Sequence, residues 1–249
     1  VAGETVARAA PDGHTLLLVS NANAVSVSLF KKLPYDIVRD FAPVAPIGEF
    51  DLALFVRAES ADKTLGDLLA RARARPGTLT IGTINPGSTQ HLAAELFKTM
   101  AGIEAMLVPY KGSPAVLTAL RAGEIDVAFE ILGPWLPQVS AGAVRALAVT
   151  SQRRNPALAS VPTVEEAGLA GYRVASWNGL AAPAGTPPEV IGRLNEAVRA
   201  ALAEPAVAQR LHALSVRPEP GPPAALQSLL ASEIARWGEV IRRAKLQPQ

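Results

Sequence analysis

The chain has 249 residues, 49% of them hydrophobic and 18% charged, which excludes a disordered chain and suffices for one large domain or two small lobes. Its 24 Lys and Arg against 22 Asp and Glu leave a formal charge of +2, and the basic residues are scattered without interleaved aromatics, so no nucleic acid is expected as a partner. The absence of cysteine excludes thiol catalysis, disulfides and thiolate metal sites, and no apolar run reaches the roughly 18 residues of a membrane span.

Residues 1–10 read as the tail of a helix, Pro11-Asp12-Gly13 as a turn and His14 to Ser20 as a strand, followed by a polar loop Asn21-Ala22-Asn23. Leu33-Pro34-Tyr35-Asp36 is a break before a strand from Leu52 to Arg57. Leu65, Leu68, Leu69 and Ala72 recur at helical spacing up to Pro76-Gly77, with Arg71, Arg73 and Arg75 reading as a solvated face. Next come a strand at Leu79 to Gly82, a polar turn to Thr89 and a helix stopped at Gly102. The pattern repeats with a strand from Ala105 to Pro109, a turn to Ser113 and a helix opened by Pro114 and ended at Gly123. Ile125 to Ile131 is a third strand, broken by Gly133-Pro134, and Val144 to Thr150 a fourth. Strands alternating with helices at this rhythm predict an α/β fold with a parallel sheet covered on both faces.

Beyond Tyr172 the chain reads as extended to Pro183, and Thr186 with Glu189 frames Pro187-Pro188 as a capping box. Helices to about Ala203 and after Pro205, a stiff link from Pro218 to Pro223 and a last helix to about Lys245 complete it.

Ligands of open α/β sheets bind beyond the carboxyl ends of strands, where helix starts point amides outward. Gly82 followed by Gly87-Ser88-Thr89 has phosphate-loop spacing with Ser88 where the lysine belongs, which argues against a nucleoside triphosphate. What remains is either a cradle for a smaller anion such as a carboxylate, or a turn that needs glycine for its backbone. His91 is either a cap at its helix start or a ligand contact. No nucleophile elbow accompanies Ser88 and His91, and His14, His91 and His212 lie on separate elements, so no catalytic, metal or cofactor site is expected. Glu130 ends an apolar run at a strand tip, so it faces either solvent or a cleft that gives it a partner. Trp177-Asn178 offers apolar contact beside an amide, or plain core packing.

Seven segments in order carry a resemblance: residues 7–17 with Pro11-Asp12-Gly13-His14, residues 29–36 with Leu33-Pro34-Tyr35-Asp36, residues 87–97 with Gly87-Ser88-Thr89-Gln90-His91, Val108-Pro109-Tyr110-Lys111-Gly112, residues 145–150, Val161-Pro162-Thr163-Val164-Glu165-Glu166-Ala167-Gly168, and residues 182–187. Over almost its whole length the chain resembles the Bug family, the solute receptors linked to tripartite tricarboxylate transporters. The resemblance implies a type II periplasmic-binding-protein fold, with two α/β lobes closing on a small carboxylate such as an amino acid or dicarboxylate. Lobe one would comprise residues 1–56 and 178–249, and lobe two residues 57–177. It also implies a periplasmic location, membrane transporter subunits as partners, and neither enzymatic activity nor a cofactor. Its ligand-lining positions carry over as Ser20, Asn21, Gly87, Ser88, Thr89 with His91 beside them, Glu130, and Trp177-Asn178 on the segment crossing back between lobes.

The chain departs from the family in two places. Glu130 stands where members usually have Asp or Asn. A strand–helix–strand unit of roughly 40 residues, which precedes the matching segment in the family and would supply half of the carboxylate cradle, is not in this sequence, so lobe one is expected to be incomplete. The alternative is the effector-sensing domain of a LysR-type transcription regulator, which shares the two-lobe architecture. A carboxylate at Gly87 to Thr89 would be repelled by an ionised Glu130 nearby. Either the ligand carries an ammonium or hydroxyl donor, or Glu130 is protonated; the first is simpler and favours amino, hydroxy or amide carboxylates over citrate.

Overall fold

The computed structural model describes residues 2–246. In chain order the elements are α1 (Ala2–Ala7), β1 (Leu17–Ser20), α2 (Asn21–Leu29), β2 (Phe41–Arg57), α3 (Leu65–Ala74), β3 (Leu79–Ile84), α4 (Thr89–Ala101), β4 (Ala105–Tyr110) and α5 (Ser113–Ala122). They continue with β5 (Val127–Ile131), α6 (Leu132–Ser140), β6 (Val144–Val149), β7 (Ala175–Pro183), α7 (Pro188–Ala203), α8 (Pro205–Ala213), β8 (Val216–Pro218) and α9 (Pro223–Arg243). They form two compact units, one made of the residues up to Glu49 and from Ser176 onward, the other of Phe50–Ala175. The chain passes between units inside β2 and at the start of β7, whereas the sequence reading set these boundaries at 56/57 and 177/178.

In the first unit β1 runs antiparallel to β7, with Ser20 opposite Asn178; β7 neighbours β2, and β2 also takes β8. The polar Asn21-Ala22-Asn23 stretch is the first turn of α2 rather than a loop, because the Asn23 side chain reaches back to accept the Ser20 amide at 2.9 Å. Helix α2 packs on α9, where Trp237 Nε1 donates to Asn21 Oδ1 at 2.6 Å and to Glu233 Oε2 at 2.7 Å. Asn195 of α7 donates to the carbonyls of Val44 and Gly221, each at 2.8 Å, fastening that helix to β2 and to the turn before α9. The capping box read at Thr186 does not form: its hydroxyl donates to the Pro183 carbonyl at 2.8 Å, and α7 starts beyond it at Pro188.

In the second unit β3 pairs in parallel with β4 and β5, as the alternation predicts. The all-parallel sheet does not hold throughout, since the second half of β2 runs antiparallel between β5 and β6. Leu52, Ala53, Leu54, Phe55 and Val56 are fully buried, the continuous apolar run that a strand covered on both faces requires. Phe55 stacks on Trp135 of α6 with ring centroids 4.7 Å apart. Gly133-Pro134 does not end the structure after β5 but opens α6, since a proline in a first turn removes an amide that has no helical partner there. The arginines of α3 are not simply solvated: Arg71 bridges Asp62 at 2.8 Å and Asp126 at 3.2 Å, and Arg73 donates to the Ala101 carbonyl.

Candidate functional site

Strands β3, β4 and β5 of the second unit end side by side, and the starts of α4, α5 and α6 follow them. Helix starts present unpaired amides and a partial positive charge, so this edge suits an anion.

Gly82 takes no part in a phosphate loop. It lies within β3, and a methyl group built on it would run into Ile125 Cδ1 and come within 3.3 Å of Val116 Cγ1. Its lack of a side chain makes room for the core. Gly87 turns with φ +81°, a conformation that favours glycine, and its amide points to His91 Nδ1 at 3.5 Å. Ser88 is the N-cap of α4: its Oγ accepts the His91 amide at 3.1 Å and donates to the Ile84 carbonyl at 3.3 Å. Thr89 and His91 are buried in the first turn. Burial holds the His91 imidazole below its ordinary range, Glu95 opposing and Lys98 adding to the shift. The Gly87–His91 turn is thus ordered by its own hydrogen bonds.

Glu130 faces inward, fully buried at the end of β5. Ser113 Oγ donates to its Oε2 at 2.5 Å, Gln90 Nε2 at 3.4 Å and the Ile131 amide at 3.3 Å. Its other oxygen, Oε1, is buried without a partner among the described residues. Burial raises the pKa of this carboxyl, and the three donors offset part of the rise. Ser113 and Gln90 are the residues sequence reasoning missed. Both lie in stretches it singled out, but a serine opening a helix and a glutamine in a first turn carry no chemical mark of their own; only the fold brings them to Glu130.

In the first unit, Ser20 and Asn178 are cross-strand neighbours, which brings the Ser20-Asn21 and Trp177-Asn178 pairs together. Asn21 is buried and accepts from Trp237, so its side chain also holds α2 to α9. Trp177 is buried with its Nε1 unpartnered among the described residues. With Asn178, Gly48, Glu49 and Glu219 it lines a cavity of about 200 Å³ beside the start of α9. Among the described residues no group of three His, Asp or Glu side chains could hold a metal ion.

The family profile described as the tripartite tricarboxylate transporter family receptor matches residues 1–246. A protein from the tcbD–tcbE intergenic region of Pseudomonas sp. (strain P51) is 37% identical over 247 residues, covering 99% of this chain and 74% of that protein. Among solved structures, R. palustris Rpa4515 with adipate is 37% identical with a TM-score of 0.87, covering 100% of this chain and 83% of the other. MatC from Rhodopseudomonas palustris with bound malate is 34% identical with a TM-score of 0.80, covering 96% of this chain and 83% of the other.

Proposed function

The chain belongs to the tripartite tricarboxylate transporter receptor family, whose members are solute receptors and not enzymes, and from that premise we propose that it captures a small dicarboxylate or related carboxylate in the periplasm for a tripartite transporter. The observation that carries the ligand class is the pair of solved relatives, each over 30% identical, whose bound molecules are adipate and malate. The helix-start edge of the second unit supports it, since it suits an anion and the turn Gly87–His91 is already ordered, so little entropy is lost in forming it.

In this reading Gly87, Ser88, Thr89, His91 and Glu130 serve the ligand's carboxylate in the second unit. Ser20, Asn21, Trp177 and Asn178 are the candidate contacts of the first. The ligand is held by hydrogen bonds and helix-start amides, with no bond made or broken.

Calorimetric titration with adipate, succinate, malate, glutamate and citrate tests the reading. At least one dicarboxylate is expected to bind with a Kd of about 10 μM or tighter. Failure of all five, with tight binding of an uncharged solute instead, would remove the carboxylate assignment.

A further inference from the structure

Glu130 is a buried ionisable group whose two oxygens are treated differently. Oε2 accepts from Ser113, Gln90 and the Ile131 amide, while Oε1 is buried and accepts from no described residue. Among the described residues its hydrogen-bond partners and its strand neighbour are all neutral: Gln90 from α4, Ser113 from α5, the Ile131 amide on its own strand and Ala53 opposite on β2. His91, the titratable residue in the first turn of α4, is turned to Gly87 instead. Among the described residues the one backbone amide that reaches Glu130 is that of Ile131, at the long distance of 3.3 Å.

An ionised carboxylate carries charge on both oxygens, and leaving one of them dry and unpartnered is costly. A neutral acid still accepts the three donors at a carbonyl Oε2, and it leaves at Oε1 an uncharged hydroxyl, which costs far less to bury unpartnered than a charged oxygen with no cation beside it.

We propose that Glu130 acts as a neutral-acid positioning residue, tying Ser113 at the start of α5 to Gln90 in the first turn of α4, so that the two helix starts are fixed for a ligand carboxylate without a like charge beside it. The proposal rests on the carboxylate-receptor reading above and deepens it. It removes the need for an ammonium or hydroxyl on the ligand, which the sequence alone favoured, and makes plain dicarboxylates the preferred class. The rise in pKa caused by burial acts in the same sense. An aspartate, one methylene shorter, would not span the same two donors.

Two measurements test it, one on the ligand-free protein and one on binding. Infrared difference spectroscopy of the ligand-free protein against Glu130→Gln at neutral pH is expected to show the carbonyl band of a protonated carboxylic acid in the wild type. A carboxylate band there instead overturns the proposal. Succinate titration is expected to weaken about tenfold in Glu130→Ala and in Ser113→Ala, with Glu130→Gln, which keeps an acceptor for Ser113 and Gln90, recovering most of the loss. Wild-type affinity should fall as pH rises through the Glu130 pKa, and that fall should vanish in Glu130→Gln. Should Glu130→Ala fail to fold, Ser113→Ala and Glu130→Gln still decide, and a folded Glu130→Gln as weak as Ser113→Ala overturns the proposal. If no carboxylate binds the wild type, the receptor reading fails on its own, and the infrared band together with amide exchange at Gly112–Val116 in Glu130→Gln still decides the neutral brace.

Discussion

Ile125 fills the space that a side chain at position 82 would need: its Cδ1 lies against Gly82 in β3, well inside van der Waals contact of a Cβ built there. Gly82 and Gly87 look alike in the sequence, as the two ends of a phosphate-loop spacing, but the first is a packing glycine and the second a turn glycine with positive φ.

Gly82→Ala is therefore expected to destabilise the second unit by about 1–3 kcal/mol through overpacking, because Ile125 and Val116 are both buried and have little room to yield. Pairing it with Ile125→Val should recover part of the loss. Urea unfolding of the two single variants and the double variant checks this; strict additivity would show that the two residues do not compete for one space.

Asn195 makes the corresponding connection in the first unit, donating to two backbone carbonyls from different segments. Asn195→Leu leaves the Val44 and Gly221 carbonyls without that donor and is expected to lower stability by about 2–4 kcal/mol. Asn195→Asp should fare no better, since it can put an acceptor where a donor is required. If Asp is tolerated better than Leu, the hydrogen bonds are not what this residue contributes.

The His91 environment sets a pH dependence whose direction follows from its depressed pKa. In the unfolded chain the imidazole takes up a proton near its ordinary pKa of about 6.5, while in the folded chain it stays neutral to lower pH. The unfolded state then binds more protons, so this contribution to stability is full above that value and is lost as pH falls through the folded pKa. Glu130 has the opposite sign: its pKa is raised on folding, so its contribution is present at low pH and is lost as pH rises through the folded value. Comparing the wild type with His91→Asn isolates the first effect. The wild type's advantage over the variant should shrink as the pH is lowered from about 7.5 to about 5.5, read from chemical denaturation at each pH. An advantage that stays constant or grows would mean that His91 is not held neutral by burial.

The legible parts of the fold are those whose signals are local. The succession β3–α4–β4–α5–β5 could be read because each strand is a short apolar run and each helix opens on a cap or a proline, as at Ser88 and Pro114. β2 could be read only from Leu52 onward. Its first half contains Pro43 and Pro46, which local reading takes as breaks, although prolines are tolerated where their nitrogen faces away from a ladder. α6 was hidden by Gly133-Pro134 for the related reason that a breaker inside a helix is harmless in the first turn. Glu130 stood out as a lone charge at a strand tip. Its partners come from 17 and 40 residues away along the chain, and no periodicity reports a contact of that kind.

Trp177 and Trp237 separate packing from hydrogen bonding within the first unit. Both are buried almost completely, so either replaced by alanine should cost about 3–5 kcal/mol through the cavity created. Their indole nitrogens differ. Trp237 Nε1 donates to Asn21 and to Glu233, and Glu233 is itself buried, so Trp237→Phe withdraws a donor from both. Trp177 Nε1 has no partner among the described residues, and a buried unsatisfied donor carries a penalty of about 1–3 kcal/mol that Trp177→Phe would relieve. That relief offsets the smaller ring's lost contacts, so Trp177→Phe is expected within about 1 kcal/mol of the wild type, and Trp237→Phe about 2 kcal/mol or more below it. Thermal unfolding of the two phenylalanine variants, without ligand and with saturating succinate, makes the comparison. Equal losses without ligand would show that the Trp237 hydrogen bonds contribute nothing to stability. A loss in Trp177→Phe seen only with succinate bound would mean that its indole N–H serves the ligand rather than the fold, as the assignment of Trp177 to the site requires.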